Sequence, residues 1–383
     1  MNYKQITFEQ QDVTAQVASF TPEGGVGEWH VMLHVASKGD VFEQQYTRIR
    51  QAEEQLLKLP EMKGAQMVFK RYFLSDATNQ QPIMVKDAHP CTTSYIQQPP
   101  LDGSKVAAWI YLASGMEVTG KADELGSTIV SHNGYKHMWT MGMTVPEGSS
   151  YAQTRTLLED YEQMLAGRDA TMEANCIRTW FFVRDVDTSY KGLVVARREN
   201  FEREGLARGT HYIASTGIGG SPADPKAIIQ LGCYAAKGFE REQQTYLRAQ
   251  THLNRTDEYG VTFERGTKMQ YGDRSHLYIS GTASINNKGE VVYEGDVKKQ
   301  TERMWENVEK LLEEGGATYD DVMQIIVYLR DISDYELVSR LFRERMPDIP
   351  TVFTLAPVCR PTWLVEMECI AVTPDGNTSF RNF

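Results

Sequence analysis

The pattern of apolar and polar positions divides the chain into strand–helix–strand–helix–strand units, and the clearest unit runs from His276 to Thr373. HLYISGTASI opens it as an apolar run rich in β-branched and aromatic residues, which suits a pleated, half-buried surface. Val297, Thr301, Met304, Val308, Leu311 and Leu312 then recur at helical spacing, with Lys and Glu between them. Asp296 is the expected N-cap of this helix and Gly315-Gly316 its stop. QIIVYLRD reads as a second strand. Ser333 and Glu336 form an expected capping box before a second helix that turns Tyr335, Val338, Leu341 and Phe342 inward. The closing strand, LVEMECIAVT, carries Glu366 and Glu368 inside an apolar run. A carboxylate in such a strand is costly unless it is paired, solvated in a cleft or used in chemistry.

The same order recurs twice upstream. In the middle third HMWTMGMTV (137–145) reads as a strand, and Ser150 caps a helix through Leu157, Leu158, Tyr161, Met164 and Leu165. RTWFFVRDVD then matches IIVYLRDIS, the helix GLVVARRENF follows, and AIIQLGCYAA (227–236) closes the unit. The first third is the most worn copy: WHVMLHVAS (29–37), a helix around FEQQYTRIRQAEEQLLKL, the strand MVFKRYFLSDA and VAAWIYLAS (106–114). Asp76, Asp185 and Asp331 take equivalent places, 109 and then 146 residues apart. A period of that length means repeated domains, not a solenoid of short units. The expected division is 1–120, 121–240 and 241–383, with an insertion over roughly residues 237–275. Three such copies suit a pseudo-threefold assembly in which neighbours cover each open sheet face and edge.

Composition narrows the function. The 383 residues, 41% apolar, are enough for two or three domains with their own cores. A formal charge of −11 argues against nucleic acid as a partner, because phosphate contacts need clustered Lys and Arg. The five cysteines are widely spread with no C-x-x-C, which points to reduced thiols and a cytoplasmic protein. MNYKQITFEQQDV has neither a basic nor an apolar leader region, so no signal peptide is expected. No run of 18 apolar residues occurs, so no membrane partner is expected either. The eight histidines show no ligand spacing, so neither a metal nor another cofactor is expected.

The C-terminal segment resembles the RidA (YjgF) superfamily, with its endoribonuclease L-PSP-like label, through ISGTASI, GDVKKQTERMWENVEKLLEEGGATYDDVMQIIVYLRDISDY and LVEMECIAV. The resemblance covers the last third well and the upstream repeats weakly. It implies an α+β fold of three chorismate-mutase-like (RidA-like) modules, joined as an intrachain pseudo-trimer. The chain would then be a monomer that mimics a trimer, with ligand clefts between modules. A narrower resemblance, to the chorismatases, rests on SGTASI at 280–285, the GDVKKQT after it and CRPTWLVE at 359–366. FFVRDVD, RRENFEREGL, THYIASTGIGG and EYGVTFERG (258–266) are similar in order and character. Chorismatases hydrolyse chorismate, releasing pyruvate and leaving a cyclohexadiene diol or a hydroxybenzoate.

This resemblance places Glu366 at the acidic position of the RidA motif and at that of the chorismatase catalytic glutamate, seven residues after Cys359. Hydrolysing an enol ether requires protonation of carbon. A carboxyl on an apolar strand beside a cleft keeps its proton near neutral pH. The alternative is an ion pair between Glu366 and an arginine across an interface. Glu368 shares its face, so one of the two can be the acid while the other is structural. Cys359 either lines the site or is a small buried hydrophobe. Gly281, Thr282, Ala283 and Ser284 form a small-residue strand end where a ligand approaches the backbone, or else a bulge. A dianionic substrate needs donors: Arg265 is the best matched, with Tyr259 and Tyr212 as hydroxyl partners and Arg274 a weaker candidate. RidA imine deaminases carry an arginine fifteen residues before this glutamate, where the chain has Thr351. Threonine cannot make the bidentate carboxylate pair that arginine makes. The expected function is therefore a chorismatase-like hydrolase acting on a small anionic metabolite. The alternatives are a RidA-type enamine/imine deaminase and a non-catalytic small-molecule-binding protein. Ribonuclease chemistry fits the charge least.

Overall fold

The computed structural model describes residues 1–118 and 126–383. Three six-stranded mixed sheets follow one another along the chain. The first contains β1 (Asn2–Phe8), β2 (Val13–Phe20), β3 (Gly27–Val35), β4 (Gln66–Leu74), β5 (Thr92–Gln97) and β6 (Val106–Ser114), in the order β1-β2-β3-β6-β4-β5. Helices α1 (Phe42–Leu56) and α2 (Ala77–Met84) flank β4 in sequence. The second sheet contains β7 (Glu117–Val118), β8 (Ser127–His132), β9 (Tyr135–Thr144), β10 (Cys176–Val183), β11 (Ala214–Gly219) and β12 (Ile229–Lys237). Its helices are α3 (Ser150–Ala166), the single turn α4 (Met172–Asn175) and α5 (Val186–Arg203). The third contains β13 (Gln244–Leu247), β14 (Gly266–Gln270), β15 (Ser275–Ala283), β16 (Val322–Leu329), β17 (Thr351–Leu355) and β18 (Val365–Thr373), with α6 (Val297–Glu314) and α7 (Tyr335–Arg345). The α+β class expected from the sequence is the class observed. The expected boundary at 120/121 lies outside the described residues.

The three sheets share one topology. Orders β7-β8-β9-β12-β10-β11 and β13-β14-β15-β18-β16-β17 repeat that of the first sheet. The parallel pairs β4/β5, β10/β11 and β16/β17 fall in the same place. So do register shifts at Met67/Phe69, Cys176/Arg178 and Val322/Gln324. A bulge bends its strand and raises the local twist, so these three sheets are bent alike. Each sheet packs its own helices on one face, as Tyr46, Ile49 and Leu56 of α1 do under the first. The opposite face meets the other sheets in a ring of contacts: β5 on β9, β11 on β15, and β16 on β2 and β3. Trp109, Trp180 and Ile326 are fully buried in that shared core. Burying each such side chain stabilises the fold by roughly 1.5–3 kcal/mol.

The helix α6 has the predicted cap: the Asp296 carboxylate accepts from Lys299 N at 3.0 Å. Other details differ from the sequence reading. Ser149, not Ser150, caps α3, because its hydroxyl accepts from Ala152 N at 3.3 Å. The Ser333/Glu336 box does not form. Ser333 instead donates its backbone N–H and hydroxyl to Asp331 Oδ1, both at 2.8 Å, and this closes a 3₁₀ turn ahead of α7. The stretch expected as an insertion supplies β13 and β14, the outer strands of the third sheet. The extra length is instead the excursion 248–265 between those two strands. Asp76 caps α2 through Asn79 N, Asp331 caps the 3₁₀ turn, and Asp185 starts α5 from a left-handed backbone with φ of 49°.

Candidate active site

Glu366 lies on β18, opposite Ala283 of β15 and Tyr328 of β16. Alternation puts it and Glu368 on the inner sheet face, and both are buried. Beside Glu366, β15 bulges between Ile279 and Thr282. Gly281 sits in that bulge, and a Cβ there would collide with Glu366 Oε1. The Gly281 N–H donates to Thr216 Oγ1 of β11 at 2.9 Å, which fixes the second sheet against the third at this point.

The carboxyl of Glu366 opens into a cavity of about 230 Å³ between these two sheets. From the second sheet's side come Tyr190, Lys191 and Arg197 of α5 with Ser215 and Gly217 of β11. The third module adds Val261, Phe263, Arg265, Ala283, Cys359, Arg360 and Trp363. Four cationic side chains therefore line a cavity whose single acid, among the described residues, is Glu366. Such a wall in a chain of net charge −11 favours an anionic ligand carrying more than one negative group. Arg265 is buried, stacks on Phe263 with its guanidinium carbon 5.4 Å from the ring centroid, and donates to Asn254 O at 3.3 Å. Arg197 donates to Ser215 Oγ at 3.4 Å.

The two glutamates differ in their partners. Glu368 accepts from Arg178 Nη2 at 2.9 Å and Trp180 Nε1 at 2.8 Å, with Arg71 Nη1 at 3.8 Å. It is thus an anchored carboxylate where all three sheets meet. Glu366 makes no ion pair among the described residues. Burial pushes its pKa up to about 8, and the nearby Glu368 charge pushes in the same direction, while Arg265 and Arg178 pull against both. A carboxyl in this state carries its proton at neutral pH and can give it up within the cavity. The Cys359 thiol is pushed up to about 12, first by burial and then by Glu366, so it is no thiolate nucleophile.

Of the residues expected from the sequence, Glu366, Arg265, Ala283 and Cys359 meet at this cavity. Tyr212 does not line it: its side chain packs in the second module's core and its N–H donates to Glu264 Oε1 at 3.1 Å. The side chain of Tyr259 lies outside the described residues. Its backbone ends a 3₁₀ turn directly before Gly260 and Val261 of the cavity wall. Arg274 is remote, paired with Glu28 at 2.6 Å. Thr282 and Ser284 turn their hydroxyls to the carbonyls of Ser280 and Val292. Thr351 belongs to a different cleft, that between the third and first sheets. At the Glu366 cavity its place is taken by Ser215: Ser215 pairs with Thr179 on the rung of Cys233, as Thr351 pairs with Ile325 on the rung of Cys369. That position also lacks an arginine. Lys191 and Arg197 were missed because they belong to the preceding module. Their signal is a basic helix face, spaced i, i+3, i+6 through Val194, in an acidic chain.

On the rung of Glu366, the first two sheets place Ala107 and Gln230, the partners of Phe73 and Phe182 where Glu366 partners Tyr328. Gln230 donates to Ser94 Oγ at 2.8 Å and so ties the second sheet to the first. One module of the three therefore holds the acid.

Fold and site together define an α+β protein of three RidA-like modules, with a glutamate of raised pKa buried in an intermodule cavity. The comparisons agree with the fold. Residues 269–373 match the family Ribonuc_L-PSP, Endoribonuclease L-PSP. A RutC family protein of Pyrococcus abyssi is 32% identical over 97 residues, which are 25% of this chain and 76% of that protein. A 3-hydroxybenzoate synthase of Streptomyces hygroscopicus is 26% identical over 263 residues, covering 63% of this chain and 75% of the relative. A crystal structure of chorismatase superposes with a TM-score of 0.61 at 18% identity, over 82% of this chain and 95% of that one. The chain belongs to the RidA/YjgF superfamily, the endoribonuclease L-PSP family.

Proposed function

We propose that the chain is a chorismatase-like hydrolase that cleaves the enolpyruvyl ether of chorismate or a related cyclic acid and releases pyruvate. The observation that carries this reading is a buried glutamate, its pKa pushed up by that burial, set among four cationic side chains. In the first step Glu366 gives its proton to the enolpyruvyl methylene. The ether oxygen supplies the electron pair that forms the oxocarbenium ion, and Glu366 is left as a carboxylate beside Arg265. Water adds to the oxocarbenium carbon, and its proton returns to Glu366. The resulting hemiketal collapses to pyruvate and the ring alcohol. Lys191, Arg197 and Arg360 are the remaining donors for the two substrate carboxylates. Desolvation strengthens each such contact.

The similarity to a 3-hydroxybenzoate synthase and to the chorismatase fold supports a chorismate-related substrate. The same reading divides the chain at 120/121 and 240/241 and takes it to be a monomer. Its three modules then stand in for three subunits, acting on a small anionic metabolite in the cytoplasm. Pyruvate release from chorismate, followed by coupled lactate dehydrogenase, tests the activity. The expected result is turnover in the parent chain and its loss in Glu366→Gln. Ammonia release from an imine with no pyruvate from chorismate would replace this reading with the deaminase one. Failure of both would leave a binding protein.

A further inference from the structure

The third and first sheets enclose a second cavity, of about 260 Å³, distinct from that of Glu366. It occupies the same relative place, between the β17 edge of one module and the meander of the next. His34 stands where Ala283 stands in the first cavity, since His34 pairs with Ala107 and Ala283 pairs with Glu366. The imidazole is fixed from two sides. Gln16 Oε1 accepts the Thr351 N–H at 3.0 Å and, being thereby identified as the oxygen, also accepts from His34 Nε2 at 3.2 Å. The other ring nitrogen faces Asp102 Oδ2 at 3.5 Å. Asp102 Oδ1 is held by Ser104 N at 2.9 Å and Ser104 Oγ at 2.6 Å, and its side chain keeps 31% exposure.

The same cavity has a cation in its wall. Arg343 of α7 lines it, and its guanidinium makes no ion pair among the described residues. Asp102 and Arg343 act on the Tyr335 hydroxyl with opposite signs, so both charges lie near that one group. Phe342, Met346 and Val352, all buried, supply the apolar wall.

This lining contrasts with the first cavity. There four cations face a neutral acid. Here one fixed carboxylate and one guanidinium line the same cavity beside an apolar wall. A dianion would meet Asp102 unfavourably, and a plain amine would meet Arg343. We propose that this second cavity binds a small zwitterion, an α-amino acid with an apolar side chain. Its ammonium lies on Asp102, its carboxylate on Arg343, and its side chain on Phe342, Met346 and Val352. Charge-assisted hydrogen bonds at both ends set the ligand's orientation, and the apolar wall selects its side chain.

Isothermal titration of the full chain with L-phenylalanine and L-leucine, alongside phenylacetate and phenethylamine, tests this. The expected result is saturable binding of at least one amino acid, with each singly charged analogue weaker by about 10-fold or more, the loss of one charge-assisted contact. Asp102→Asn and Arg343→Gln should each weaken the amino acid by a similar factor. Glu366→Gln should leave it unchanged, and Asp102→Asn should leave pyruvate release from chorismate unchanged. No heat with either amino acid would overturn the proposal, as would equal binding of the singly charged analogues. Loss of binding in Glu366→Gln but not in Asp102→Asn would also overturn it, because it would seat the ligand in the other cavity. Chorismate turnover and amino-acid binding are read separately, so either can fail while the other stands.

Discussion

Glu366 and Glu368 stand two residues apart on the same face of β18, yet only Glu368 meets a guanidinium, Arg178, at 2.9 Å. Burial raises the proton affinity of Glu366, and the anchored charge of Glu368 raises it further. A structural carboxylate and a proton-donating one thus share a strand face, and neither role is assignable from β18 alone.

The first prediction concerns the pH profile. With Glu366 pushed up to about 8, kcat/KM for pyruvate release should be level through neutrality and fall about tenfold per pH unit above that value. Glu366→Gln should lower it by about 10²–10⁴-fold. Turnover that rises above pH 8 would rule out Glu366 as the acid.

The same shift predicts a stability effect of opposite sign. A carboxyl with a raised folded pKa binds its proton more tightly in the native state, so it costs stability as pH rises from about 4.5 to about 8. Glu366→Gln should therefore match the parent at pH 4 and exceed it by roughly 2–4 kcal/mol at pH 9. Thermal melts at the two pH values read this directly. A variant less stable than the parent at pH 9 would contradict the burial argument.

Glu368→Gln should behave differently. It leaves the buried Arg178 without its carboxylate, and Arg71 as well, at a cost of about 3–5 kcal/mol. In whatever fraction remains folded, Glu366 loses a repulsive neighbour, so the high-pH limb of activity should move to lower pH. Urea unfolding gives the first outcome and the pH–rate profile the second. An unmoved limb would show that burial alone sets the acid.

Gly281→Ala probes the space beside the acid. The added methyl meets Glu366 Oε1, so the carboxyl must rotate or β15 must shift. The expected outcome is a folded protein with kcat reduced about 10²-fold, the effect of a misplaced catalytic group. A circular dichroism melt within a few degrees of the parent separates this from unfolding.

At the far end of the inner face, Glu28 accepts from Arg274 Nη1 at 2.6 Å and Tyr111 Oη at 2.6 Å, and meets His276 Nε2 at 2.9 Å. Burial alone would raise its pKa, but His276, Arg274 and Tyr111 together hold it well below the usual range. Its contribution is complete above the unfolded value of about 4.5 and fades as pH falls toward the depressed one. Glu28→Gln should thus cost about 3–5 kcal/mol at pH 7 and much less at pH 3, read by urea titration.

Much of this was legible in the sequence, for physical reasons. The period of α6 and the Asp296 cap are local signals, and so is the acid-bearing strand β18. The wall of the cavity was legible only in part. Arg265 and Cys359 lie in the same module as Glu366, whereas Lys191, Arg197 and Ser215 reach it from the module before, through contacts that no local spacing encodes. Thr351 was placed beside Glu366 because it lies fifteen residues away in sequence, but the sheets put the two in separate clefts. One readable signal was passed over: Asn133-Gly134, both left-handed, joins β8 to β9 as a tight hairpin turn.

One rung of the shared core places Trp109, Gly232 and Glu368 on the three last strands. If identical subunits met there, any side chain would be written three times, and a glutamate would bring three carboxylates together with no room for an indole. Within one polypeptide each occurrence is a separate letter. A single negative charge can then be enclosed by Arg178 and Trp180 from one sheet and Arg71 from another, and glycine leaves the space they need. The same freedom lets one junction keep an acid, a second join Ser94 to Gln230, and a third acquire His34. Covalent fusion thus turns one repeated surface into three that can be substituted independently, each change felt once.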